Sequence, residues 1–186
     1  MKKAIPGALA ALVFATLACS IFVGGPAYPD DAIPTATGTP MTLQQQLEEA
    51  VASVAQDGEV SVQITEQQLT DYLQAKAGEQ ANPVISDPRV YLRSGEMKVY
   101  GKAKSGIFNA NVAITIQASI DADGQPHFDI AQTDFGPLKA PQGLNAAIAA
   151  SIQEAFTGWL GPVATGFRMQ SITIEDGVMT VTGRIK

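Results

Sequence analysis

The chain has 186 residues, 46% of them hydrophobic, and its 12 basic and 18 acidic side chains leave a net charge of −6. That acidic balance excludes general nucleic-acid binding, which rests on neutralising phosphates, and the length beyond Asp57 suffices for one domain and not for two. A single cysteine, Cys19, and a single histidine, His127, exclude an internal disulfide, a two-histidine metal site and a histidine pair, and no cofactor is expected.

Lys2 and Lys3 precede an apolar run from Ala4 to Gly24. A charged start before a long uncharged stretch reads as an export or anchoring signal. Residues 1–24 are therefore expected to be a signal or membrane anchor, with the rest outside the cytoplasm in a bacterial cell envelope. Two outcomes stand open. Uncut, the 21 residues from Ala4 to Gly24 suffice for a spanning helix, which needs about 20, with the lysines held inside. Cut before Cys19 in Leu17-Ala18-Cys19-Ser20, the chain would carry lipid on the Cys19 thiol, although Thr16 stands where that motif prefers Leu, Val or Ile. Ordinary signal-peptidase cleavage fits poorly, with Pro26 between Gly25 and Ala27. Both leading outcomes tether the domain to a membrane. All 18 acidic residues lie beyond the anchor against ten of the 12 basic ones, so the exported part carries −8.

Residues 25–40 read as a flexible linker, with Pro26, Pro29, Pro34 and Pro40 among small and polar residues and no apolar period. Residues 41–57 read as an amphipathic helix, with Leu43, Leu47, Ala50, Val51 and Val54 at helical spacing. A single α+β domain is expected over residues 58–186. It opens with a short strand, Val60 to Ile64, and a helix started by the capping box Thr65-Glu66-Gln67-Gln68, with Ile64 and Leu69 placed for a hydrophobic staple and Gly78 as the stop.

Beyond Asn82-Pro83 the period becomes two. Strands are expected over residues 89–93, 96–104 and 107–121, separated by Ser94-Gly95 and Ser105-Gly106. The third alternates for about 14 residues, with Phe108, Val112, Ile114 and Ile116 on the apolar face. A strand that long with one wet face implies a twisted, curved antiparallel sheet. Asp121 to Gly124 is a turn, and residues 127–135 return. A helix is expected from Pro141 to Thr165, carrying Ile148, Ile152, Phe156 and Trp159 in its apolar stripe and weakened by Gly158 and Gly161-Pro162. A hairpin about Asp176-Gly177 closes the chain. The expected fold is α+β: a long curved antiparallel sheet of about six strands wrapped against one long C-terminal helix, with a shorter helix before the sheet.

No residue pattern points to catalysis, and the chain is expected not to be an enzyme. His127 reads as a surface residue beside Asp129, with no Gly-x-Ser-x-Gly elbow to supply a nucleophile. Asp121, Asp123 and Gly124 lack the remaining ligands of a calcium loop. Glu175 and Asp176 are adjacent in a turn and do not face each other across a cleft. Lys98, Lys102 and Lys104 share one strand face and Arg89 and Arg93 precede them, a cation cluster suited to lipid head groups or anionic glycans, or else a solvated face guarding a sheet edge.

The helix Ile64 to Leu73, the alternating strands, the segment Gly136 to Pro141 before a long helix, and the closing Ile174 to Gly183 together resemble the LmeA-like and YpmS-like anchored bacterial proteins, related to tubular lipid-binding (TULIP-type) folds. The resemblance implies a curved sheet around a helix, enclosing an apolar groove for acyl chains. Phe108, Val112, Ile114, Ile116, Phe128 and Ile130 would line its sheet side and Ile148, Ile152, Phe156 and Trp159 its helix side. The same ten residues would equally serve as a dry core. In that case the chain would be an envelope module binding a protein or anionic glycan through its sheet face or cation cluster. The expected partners are thus the membrane and phospholipid, with no nucleic acid.

Overall fold

The computed structural model describes residues 21–30, 45, 49, 58–81, 83, 85–105, 107–137, 139, 143–160 and 167–185. Cys19 and the rest of residues 1–20 lie outside them, as does most of the helix expected over residues 41–57, of which Gln45 and Glu49 are described and helical.

The strands are β1 (Ile21–Phe22), β2 (Glu59–Thr65), β3 (Ile85–Arg93), β4 (Glu96–Ser105), β5 (Phe108–Ile120), β6 (Pro126–Asp134), β7 (Phe167–Glu175) and β8 (Val178–Ile185), with α1 (Glu66–Glu79) after β2 and α2 (Leu144–Leu160) after β6. They make two sheets. β3, β4, β5 and β6 form an antiparallel meander with β1 added in parallel, while β2, β8 and β7 form a separate three-stranded antiparallel sheet. The expectation of one sheet against one long C-terminal helix is corrected here. The helix is 17 residues long, and the last hairpin leaves it to pair with β2. Alternation records which face of a strand is apolar but not which sheet the strand joins.

Local sequence explains the elements. Thr65 caps α1: its hydroxyl accepts from the Gln68 amide at 3.3 Å while the Gln68 side-chain oxygen accepts from the Thr65 amide at 2.9 Å. Ile64 and Leu69 are both buried beside that cap. β3 and β4 are joined by Ser94 and Gly95, with φ of 53° and 82°, the two positive values of a type I′ hairpin turn. β3 begins earlier than expected, because a bulge between Ser86 and Arg89 accommodates Asp87 at φ 53° and Pro88.

The long strand β5 follows the expected period: Ala110, Val112, Ile114 and Ile116 are buried and Asn109, Asn111, Ala113 and Thr115 half-buried. A second bulge, where Thr115 pairs with Gln132 but Ile116 with Ile130, twists β6 across it. The two sheets close on one core. Val60, Val62, Ile64, Met179 and Val181 come from the smaller sheet, and Val90, Leu92, Met97, Val99, Val112, Ile114 and Ile116 from the larger. Hydrogen bonds from Gly95 N to Ile174 O and from Gly177 N to Leu92 O, 3.2 and 2.9 Å, lock the β7–β8 hairpin onto the β3–β4 end.

The N-terminal segment corrects a second expectation. Residues 21–30, read as the end of an anchor and the start of a flexible linker, lie on the larger sheet. Ile21 N donates to Ile107 O, Val23 N to Asn109 O, and Asn111 N donates back to Gly24 O, at 2.8 to 2.9 Å. Residues 21–24 therefore belong to the sheet. Among the described residues no helix is long and apolar enough to cross a membrane. β1 takes the edge of β5 that β6 leaves free, since β6 reaches only Ala113. Gly25 makes the passage possible: a Cβ there would stand 2.3 Å from Asn111 O, and one on neighbouring Gly136 would stand 2.6 Å from Gly25 Cα. The segment was misread because backbone bonds and glycine contacts leave no hydrophobic period.

Candidate functional site

The residues expected to line a groove mostly fill the core. Val112 and Ile114 are fully buried, and Ile116, Phe128, Ile148 and Ile152 nearly so, with Ile130 packed partly buried against them. Phe108 departs from the expectation: it shares the parity of the apolar face but stands 38% exposed where β5 overhangs the core. The side chains of Phe156 and Trp159 lie outside the described residues. Most of the expected groove residues that are described thus pack against one another as core.

An apolar cleft opens where α1 meets α2 and the larger sheet. Leu73 and Ala77 of α1, Ile85 and Pro88 of β3, Val99 of β4 and Ile148 of α2 line it, and its volume is about 70 Å³. Of the expected groove residues whose side chains are described, it uses Ile148 alone. Lys76 stands at its rim, 3.4 Å from both Glu79 and Glu154, and so ties α1 to α2. The Glu79 and Glu154 carboxylates hold its ammonium pKa above the ordinary lysine value. Burial of the Tyr72 phenol on the same helix raises its pKa.

The outer face of the larger sheet carries the expected cations, and most meet partners of their own. Lys102 is 3.1 Å from Asp87 and Lys98 3.7 Å from Glu96. Arg93 turns toward α1 and pairs with Glu66. Arg89 lies 5.4 Å from the ring centre of Tyr28, which packs at a 37° tilt against Tyr100, which meets Tyr91 edge-on. Asn111 Nδ2 donates to Pro26 O at 3.2 Å and Tyr91 Oη to Pro29 O at 3.5 Å. Residues 24–30 thus cross β5, β4 and β3 as a strap. Burial is the main cause that pushes the Tyr28 phenol up to about 12. Most cations of the cluster thus have a carboxylate or an aromatic neighbour, and Lys104 stands exposed at the end of β4.

No known protein family matches this chain, and no curated protein matches it. The site therefore rests on its own geometry. His127 and Asp129 pair at 3.2 Å on an exposed strand. Asp121 Oδ1 accepts from the amides of Asp123 and Gln125 at 2.9 and 2.8 Å, the bonding of a turn residue.

Glu66 was not singled out by sequence. It is 1% exposed, and its Oε1 accepts from Leu92 N and from Arg93. Thr70, one turn on and also buried, accepts from Val90 N at 2.9 Å. These two side chains fasten α1 along β3 and fix the cleft wall. An acidic residue in a helix's first turn reads as a partner of the helix dipole, so its burial shows only when β3 is in place.

Proposed function

We propose that the chain is a membrane-tethered, extracytoplasmic, non-catalytic module of a bacterial envelope that takes a lipid acyl chain at the cleft between α1, β3, β4 and α2. The cleft carries this reading: among the described residues it is a mainly apolar concave surface where core-type side chains meet solvent, with an ammonium at the rim. Sites that enclose whole small ligands run to roughly 300–1,000 Å³, so the cleft holds the end of a chain unless α2 lifts. α2 meets the core through Leu144, Ile148 and Ile152, and the bond of Lys76 to Glu154 would part with it. The resemblance to LmeA-like and YpmS-like proteins implies the same ligand chemistry. The apolar run before residue 21 supplies the tether, by a lipidated Cys19 or by a retained helix of the 17 residues Ala4 to Ser20, at the short end of what spans a bilayer.

The test uses the full chain in vesicles containing a phospholipid with a photoreactive acyl chain. Adducts are expected on the peptides carrying Leu73, Ala77 and Ile148, and their loss in Ala77→Trp, which fills the cleft. Adducts confined to residues upstream of 25 would overturn the cleft. A second reading then stands: a closed-core module that binds a protein or anionic glycan through its sheet face. The burial of Val112, Ile114, Ile116, Phe128 and Ile152 favours it.

A further inference from the structure

Four large apolar side chains are exposed among the described residues: Ile21 at 48%, Phe22 at 60%, Ile107 at 57% and Phe108 at 38%. The fold gathers them at one place. β1 pairs in parallel with the start of β5, setting Ile21 opposite Phe108 and Phe22 opposite Asn109, and Ile21 N bonds Ile107 O. Lys104 is paired with Asn109 across the β4–β5 ladder and is exposed at the same end. An apolar cluster with an adjacent lysine is the composition of a surface that sits in the boundary between acyl chains and phosphates. The sequence says what lies next to it: the uncharged apolar run from Ala4 ends at this cluster, and one residue, Ser20, separates Cys19 from Ile21. Fully extended chain spans at most ~3.6 Å per residue, so neither anchor leaves room for a stalk.

We propose that the Ile21, Phe22, Ile107 and Phe108 end of the larger sheet is a membrane-seating surface, with these side chains in the lipid interface and Lys104 at the phosphates. The sheet then stands with its β4–β5 turn on the bilayer. This rests on the membrane tethering proposed above and is independent of what the cleft binds.

The test uses the full chain with Trp159→Phe, so that a single introduced tryptophan reports. Ile107→Trp and Phe22→Trp place the probe at exposed positions outside the core, and Asp129→Trp serves as a control elsewhere on the sheet. The proteins are reconstituted in vesicles of phosphatidylcholine and phosphatidylglycerol with brominated acyl chains. The expected result is blue-shifted emission and strong bromine quenching for either patch probe, with the control unquenched. Phe22→Asp with Ile107→Asp in a Phe108→Trp background should abolish that quenching. Patch probes as unquenched as the control, in protein that still floats with the vesicles, would overturn the seating while leaving the tether intact. Protein that does not float overturns tether and seating together. A blue shift without bromine quenching means a second copy or another protein covers the patch, and also overturns the proposal.

Discussion

Removing the Glu66 carboxylate tests how α1 is held. In Glu66→Ala the Leu92 amide, on a fully buried residue, loses its acceptor, and an unsatisfied buried donor costs about 1–3 kcal/mol. Arg93 is one-third exposed, so its guanidinium turns to water, and the lost pair adds only about 1 kcal/mol. The sum is about 3 kcal/mol, or roughly 10 °C in Tm for a domain of this size. Glu66→Gln keeps an acceptor for Leu92 N and should lose only about 1 kcal/mol. Guanidinium denaturation followed by circular dichroism measures both, with the midpoint shifting and the slope unchanged. Equal losses in the two variants, or a loss under about 1 kcal/mol in Glu66→Ala, would refute the reasoning, because Oε1 would then not be the acceptor that joins α1 to β3.

Gly25→Ala sets a Cβ against Asn111 O and should unseat the strap; faster hydrogen exchange at the Val23 and Asn111 amides, with the β7–β8 amides unchanged, is the expected readout. The raised Tyr28 pKa favours the neutral phenol in the seated strap, so its contribution is complete below pH 10 and is lost between pH 10 and about 12. Tyr28→Phe should therefore remove a phenolate absorbance step near pH 12, and loss of a step near 10 instead would contradict the burial. Ser94→Asn, with φ 53° at that position, should stabilise by up to about 1 kcal/mol, since Asn tolerates the left-handed region better than Ser; an unchanged or lower denaturation midpoint would count against it.

What the sequence showed was what its local physics decides. The Thr65 capping box, the alternation of β5 and the Asp176-Gly177 hairpin each depend on neighbours within a few residues, and each is present. What it hid depends on distant partners. The strap places Pro26 against Asn111, 85 residues away, through backbone groups that every residue possesses. The burial of Glu66 needs Arg93 and Leu92 from another element. The cleft arises where α1, β3 and α2 fail to close completely, and its walls use the same residue types as the core. Phe108 was assigned correctly by parity and wrongly by depth, because alternation says nothing about where a long strand outruns its neighbours.

The strap also bears on the order in which the chain completes itself. Ile21 and Phe22 are made early, yet the edge that receives them exists only after β5 has formed, and contacts of such long sequence separation close late. Until then β5 from Ile107 to Asn111 offers unpaired backbone to any passing strand. A chain that lacks the strap would keep that edge open. If the chain is tethered as proposed, a cut that frees the domain without its strap would therefore yield a fragment prone to self-association.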